Sequence, residues 1–93
     1  MSISISKIEG DKRHSILKLG SDSWALPELF KIFENWLMNE SGDIDPQFEW
    51  IVDIGFSPRE GASGGGPIIS KTIMKKCIEK NISIYLSEYA DQK

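Results

Sequence analysis

Four short segments of the chain are predicted to be strands, and apolar and polar residues alternate in three of them. Residues 2–6 alternate serine with isoleucine, and the stretch to Ile8 is predicted to be a strand. After the turn residues 9–12, the segment 13–19 is typical of the returning strand of a hairpin. The same alternation recurs over 47–56 and 82–87. A two-residue period places apolar side chains on one face of a strand, so each strand is expected to have one buried and one solvated face.

Two further segments carry apolar residues at the helical period. Pro27 fits the first turn of the first helix, and Gly42 is expected to end it as a left-handed cap. The second helix is predicted from the N-cap Ser70 to Lys80, with Asn81 as its left-handed cap. The apolar residues are Leu26, Leu29, Phe30, Ile32, Phe33, Trp36 and Leu37 in the first helix, and Ile73, Met74, Cys77 and Ile78 in the second.

These elements predict a single α+β domain over residues 1–93. The order ββαβαβ indicates a two-layer sandwich, in which two helices lie on one face of a four-stranded mixed sheet. The opening hairpin is expected to be antiparallel. The closing strand–helix–strand unit favours two parallel strands joined by a right-handed crossover. The second face of the sheet is expected to remain open.

The composition of the chain indicates its cellular compartment. The chain is 40% hydrophobic and 27% charged, which is typical of a globular protein. No apolar run approaches the ~18 residues of a membrane span, and the N-terminal segment alternates where a signal peptide would be continuously apolar. Cys77 is the only cysteine, so no internal disulfide can form. These features predict a cytoplasmic protein that has no membrane partner.

Charge is distributed unevenly along the chain. Residues 28–60 contain eight acids and two bases, a sum of −6, whereas residues 61–80 contain four lysines and one acid, a sum of +3. An acidic middle segment does not suit nucleic acid, whose binding depends on neutralising phosphates. It suits a basic protein partner, because opposite potentials speed encounter. Ordinary solvated faces are the alternative interpretation.

One strand offers a candidate contact surface. Glu49, Ile51 and Asp53 share a face of the third strand, with an apolar centre between two acids. The two carboxylates are roughly 13 Å apart along an extended strand, too far to share one proton or to flank one glycosidic bond. The arrangement therefore suits binding better than catalysis. With two acids of the preceding loop and a tyrosine of the last strand, the residues expected to bind a partner are Asp43, Asp45, Glu49, Ile51, Asp53 and Tyr85.

The glycine-rich stretch 61–67 lies between a strand and a helix, where phosphate-binding loops occur. A P-loop, however, requires glycine directly before its lysine, and here Ser70 precedes Lys71-Thr72. The loop is expected either to be mobile or to bend sharply so that it places the second helix, through positive φ angles that glycine adopts readily. A small ligand- or phosphate-binding domain, or an enzyme, that uses Gly61 to Thr72 is the alternative function.

Catalytic and metal chemistry have few candidate residues. His14 and Cys77 are the only residues of their types, and familiar transition-metal sites need several such ligands. Asp43 and Asp45 lack the remaining ligands of a calcium loop. No catalytic residue, cofactor or metal is therefore predicted. Trp24, just before the first helix, is either an interface aromatic or a lid over the start of that helix.

Two resemblances extend this interpretation. The stretch Gly64-Gly65-Gly66-Pro67-Ile68-Ile69-Ser70, followed by a short helix and by Ile82 to Tyr89, resembles the C-terminal part of a family of small bacterial domains of unknown function. That resemblance implies no catalytic residue. In size, acidity and architecture the chain also resembles the immunity proteins of bacterial toxin systems, including contact-dependent growth inhibition.

The second resemblance implies a cytoplasmic protein that binds a cognate toxin domain and blocks its active site. We therefore expect a non-enzymatic protein-binding module whose partner is a basic, nuclease-like toxin domain. A third interpretation is a structural subunit whose open sheet face pairs with itself.

Overall fold

The computed structural model describes residues 3–20 and 22–90 of the chain. The α+β class is confirmed, with a mixed four-stranded sheet and two helices. A 3-10 helix, which the sequence pattern did not predict, is inserted before the third strand, so the element order differs from ββαβαβ at this point. The elements are β1 Ile3–Glu9, β2 Lys12–Leu19, α1 Leu26–Asn39, the 3-10 helix Ser41–Asp43, β3 Glu49–Phe56, α2 Lys71–Lys80 and β4 Ile82–Glu88.

The strands lie in the order β2-β1-β3-β4. β1 is antiparallel to both β2 and β3, and β3 is parallel to β4. The predicted antiparallel hairpin and the predicted parallel pair are therefore confirmed. β2 and β4 form the two edges of the sheet, and the β1–β2 ladder has a bulge between Ile5 and Ser6.

One apolar core lies between the helices and one face of the sheet. Both helices contribute to it, and they contact each other, so they share that face. Phe33 is fully buried between Phe30 and Trp36, with ring centroids 5.5 Å and 6.3 Å away. The fully buried residues are Ile3, Ile5, Leu29, Phe33, Leu37, Val52, Ile54 and Ile73, each of which contributes about 1.5–3 kcal/mol relative to an exposed position.

The end of α1 corrects one sequence-based prediction. Gly42 does not cap this helix in a left-handed conformation: α1 ends at Asn39, and Gly42 lies inside the 3-10 helix. The Ser41 hydroxyl donates a hydrogen bond to the Leu37 carbonyl of the last turn. Because a side chain satisfies this carbonyl, the chain can tighten into a 3-10 turn without a left-handed residue.

The ends of α2 agree with the sequence, but its apolar stripe does not. Ser70 Oγ accepts a hydrogen bond from the Ile73 N–H at 3.2 Å, and Asn81 is left-handed with φ 59°. Of the four apolar residues expected to face the core, Ile73 and Cys77 are buried whereas Met74 and Ile78 are exposed. The reason is the position of α2 beside the edge strand β4, where no further described strand or helix covers its outer flank.

Candidate functional site

The face of the sheet that points away from α1 and α2, here called the open face, carries the side chains predicted to bind a partner. Along β3, Trp50, Val52 and Ile54 are buried on the helix side, whereas the residues between them retain solvent exposure. The strand thus has one apolar side and one water-facing side, as its alternation predicts. No described element lies over the open face, because both helices pack on the opposite side.

Strand pairing brings four of the six predicted residues together on this face. Asp53 is directly beside Tyr85 of β4, and Ile51 is beside Ser83. On the other side of β3, Ile8 of β1 is beside Glu49. The Tyr85 ring is half exposed and Ile51 is half buried. The open face therefore presents an aromatic ring and aliphatic side chains next to an exposed carboxylate.

The Asp53 carboxylate is held by two neighbours. Ser87 Oγ donates a hydrogen bond to Asp53 Oδ1 at 2.6 Å, and Arg13 Nη2 lies 3.6 Å from Asp53 Oδ2. The Arg13 guanidinium also lies 5.9 Å from the centroid of the Tyr85 ring. The expected arrangement of an apolar centre with two acidic flanks is therefore only half right, because Arg13 offsets the charge of Asp53. Glu49 is the exposed acidic flank.

Arg13 is a site residue that the sequence interpretation missed. It reaches the open face because Ile8 pairs with both Arg13 and Glu49, which places all three side chains on one side of the sheet. The alternation within β2 gives no such signal, since both faces of this edge strand are exposed and a bulge shifts its register. The register of β2 against β1 is needed to predict that Arg13 lies on the open face.

Asp43 and Asp45 lie beside the open face and not on it. They belong to the connection from α1 to β3, at the end of the sheet where β3 and β4 begin. Asp45 Oδ1 accepts a hydrogen bond from the Gln47 N–H at 2.9 Å, and the Asp45 carbonyl accepts one from the Trp50 indole at 2.8 Å. Both aspartates are exposed, as is Glu49. These three carboxylates, Asp43, Asp45 and Glu49, are called the acidic end below.

The acidic segment of the sequence does not form one continuous patch. Glu28 and Glu34 are exposed on α1, on the helix side of the molecule, and Glu60 follows Arg59 beyond the opposite end of β3. The open face also has basic groups, Arg13 and Lys18, from β2. The sum of −6 over residues 28–60 therefore overstates the charge that a partner would meet at any one surface.

The glycine-rich loop bends the chain and lies along α1. Gly64 and Gly66 have φ angles of 134° and 119°, which side-chain-bearing residues rarely adopt, and Arg59 Nη2 donates to the Gly64 carbonyl at 2.6 Å. Gly66, Pro67 and Ile68 line a groove of about 230 Å³ with residues of α1. The predicted bend is confirmed. Lys71 and Thr72 are exposed at the start of α2.

His14 and Cys77 lie on separate parts of the fold. His14 is exposed on the edge strand β2, whereas Cys77 is buried on α2, which contacts β4 at the other edge. Burial raises the pKa of the Cys77 thiol. Across residues 3–20 and 22–90, no group of three or more His, Cys, Asp or Glu side chains is arranged to hold a metal ion.

The two remaining tryptophans have packing roles. Trp24 is half buried, its ring meets that of Tyr89 edge-on at 5.8 Å, and its carbonyl accepts a hydrogen bond from the Ser57 N–H at 2.8 Å. These contacts are those of a lid that joins the start of α1 to the ends of β3 and β4. Trp36 is buried in the core.

Comparison of the chain with protein-family models, with curated proteins and with solved structures gives no match. None of the helices in the described part of the chain combines the length and the apolar character needed to cross a membrane.

Proposed function

We propose that this chain is a protein-binding module of the immunity type, which binds a basic, nuclease-like toxin domain and blocks its active site. The observation that carries the proposal is the open face, a sheet surface that neither helix covers. This face combines Ile51 and Tyr85 with Glu49, and a partly apolar surface with an aromatic anchor and charged margins is typical of protein interfaces.

Steering is assigned to the acidic end. Asp43, Asp45 and Glu49 are exposed and lie at the same end of the sheet, so their fields add at that point. A nuclease binds the phosphates of its substrate with basic groups in its active-site cleft. Carboxylates of a bound inhibitor can form ion pairs with the same basic groups. In this role the acidic end speeds encounter and covers the cleft.

Anchoring is assigned to Tyr85 and Asp53. The Asp53 carboxylate already has Ser87 and Arg13 as partners, and Arg13 also lies near the Tyr85 ring. Side chains that are fixed before binding lose less conformational entropy when the complex forms. A half-exposed tyrosine beside such a fixed group is suited to be the residue that slows dissociation.

The steering part is tested with the product of the reading frame next to this gene. Association is followed by stopped-flow fluorescence at several salt concentrations, with Asp43→Lys and Glu49→Lys combined in one variant. We expect association to be about tenfold slower, with a weaker salt dependence, because the field at the acidic end is reversed. The matched control combines Glu28→Lys and Glu34→Lys, the same charge change on the helix side of the molecule. Equal slowing in both variants would refute steering by the acidic end.

The anchoring part is tested by Tyr85→Ala in the same complex. Loss of an interface anchor is expected to raise the dissociation rate by about tenfold or more, with little change in association. The activity of the neighbouring gene product is measured with and without this chain. A neighbour that is not bound, or whose activity persists when it is bound, would refute the immunity assignment.

A further inference from the structure

The two edges of the sheet are built differently. The edge strand β2 carries Lys12, Arg13, His14 and Lys18, and it contains a bulge relative to β1. Charged side chains and bulges are the usual features that prevent an edge strand from pairing with another chain. β4 has no charged residue, proline or bulge from Ile82 to Ser87, and no described strand pairs with its outer side. β4 is therefore an edge without these protective features.

Alternate residues of β4 point their backbone groups outward. The Trp50 N–H donates to the Asn81 carbonyl at 3.0 Å, and the Tyr89 N–H donates to the Phe56 carbonyl at 2.8 Å. Because backbone groups in a strand alternate between its two sides, the odd-numbered residues of β4 bond to β3. The residues whose N–H and C=O groups point away from the sheet are Ile82, Ile84, Leu86 and Glu88.

An apolar surface adjoins this edge. Leu86, on the helix side of β4, is 49% exposed, and on α2 Met74 is 48% and Ile78 80% exposed. Met74 comes directly after the buried Ile73, and Ile78 directly after the buried Cys77, so each points about 100° further around the helix. Both therefore lie on the flank of α2 that α1 does not cover. Connections between parallel strands of one sheet are right-handed in nearly all proteins, and with that hand this flank of α2 faces the β4 edge. The exposed edge and the exposed apolar residues thus form one surface.

We propose that this surface binds a second copy of the chain, with the two β4 strands antiparallel about a twofold axis at Tyr85. In this register Ile84 lies opposite Leu86 and Ser83 lies opposite Ser87, so every residue from Ile82 to Glu88 is paired. The outward-pointing residues are those that exchange hydrogen bonds in an antiparallel ladder. Two four-stranded sheets then form one continuous eight-stranded sheet.

Self-complementarity identifies the partner. The surface requires an uncharged strand and, on its helix side, further apolar side chains, and a copy related by a twofold axis supplies both. Glu88 is the only charged residue of β4, and in this register it lies opposite Ile82 of the other copy. Lys80 of that copy is two positions before Ile82, so the opposite charges of Glu88 and Lys80 approach each other. This inference does not depend on the proposed toxin-binding function, although the twofold axis places the two Tyr85 side chains opposite each other on the open face.

The oligomeric state is tested by sedimentation equilibrium of the full chain. The wild type is expected to be a dimer, and Ile78→Lys is expected to weaken the dimer by about tenfold or more, because it buries a charge in the apolar contact. The matched control is Ile68→Lys. Ile68 is 81% exposed, nearly the same as Ile78, but it directly follows the glycine-rich loop and lines a groove with residues of α1, so dimerisation should be unchanged.

A backbone test distinguishes edge pairing from any other dimer. Leu86→Pro removes an N–H that points outward and leaves the hydrogen bonds to β3 in place, so the fold should persist while the dimer is lost. In the wild type, the amides of Ile84 and Leu86 should exchange with solvent more slowly as protein concentration rises. A monomeric wild type, a dimer that Ile78→Lys leaves intact, or exchange at Ile84 and Leu86 that ignores concentration would each overturn the proposal.

Discussion

Asn81 connects three elements of the fold through a single residue. It ends α2 in a left-handed conformation with φ 59°, and its carbonyl accepts a hydrogen bond from the Trp50 N–H at 3.0 Å. Its side-chain amide donates to the Phe48 carbonyl at 2.8 Å, just before β3 begins. Replacement by alanine removes the amide and the tolerance for a left-handed backbone, whereas replacement by glycine removes only the amide.

The two losses can be estimated separately. A hydrogen bond of this type contributes about 1 kcal/mol to the free energy of unfolding. A left-handed alanine costs about 1–2 kcal/mol more. We therefore expect Asn81→Ala to destabilise the fold by about 2–3 kcal/mol. Glycine avoids the steric cost but loses more chain entropy on folding, so Asn81→Gly should cost about 1–2 kcal/mol.

The assay is equilibrium urea unfolding followed by tryptophan fluorescence, which reports on the buried Trp36 and Trp50. Protein concentration is held constant, because association changes apparent stability. Asn39→Ala is the control: this asparagine is exposed at the end of α1 and bonds only within its own helix, so its loss should cost less than about 0.5 kcal/mol. Equal stability of the alanine and glycine variants of Asn81 would show that the left-handed backbone imposes no steric cost on alanine. An Asn81→Gly variant as stable as the wild type would refute a stabilising role for the hydrogen bond to the Phe48 carbonyl.

The strands and the ends of α2 could be predicted because their signals are local. Alternation over β3 requires only that one side of the strand meets a core, and Ser70 and Asn81 act through bonds to nearby backbone. Exposure of Met74 and Ile78 could not be predicted in this way. The helical period shows that Met74 and Ile78 share a side of α2 with buried residues. It does not show whether a neighbouring strand or helix covers that side. Strand order decides this, and it depends on contacts between distant segments.

The same limit applies to the open face. The side on which Glu49, Ile51 and Asp53 lie follows from alternation alone, and the structure confirms it. The ion pair between Arg13 and Asp53 depends on β1 lying between β2 and β3 and on the register on both of its sides. Net charge along a segment therefore overestimated the acidity of the surface, since the fold brought a base from forty residues away in the chain.

Two predictions concern the core. Phe33→Ala should lower the free energy of unfolding by about 3–5 kcal/mol, because the ring is fully buried between two aromatic rings; a urea midpoint within error of the wild type would contradict the packing described here. Burial raises the pKa of the Cys77 thiol, so the native chain disfavours the reactive thiolate. Alkylation by iodoacetamide at neutral pH should therefore be about tenfold or more slower in the native chain than in urea-unfolded chain. The raised pKa of Cys77 also affects stability at alkaline pH. Below the ordinary thiol pKa it has no effect, because the thiol is protonated in both the folded and the unfolded chain. As the pH rises above that value the fold is destabilised, because the unfolded chain loses this proton first. Cys77→Ala should remove that part of the alkaline loss, and an alkaline unfolding profile of unchanged shape in this variant would show that the thiol does not contribute to it.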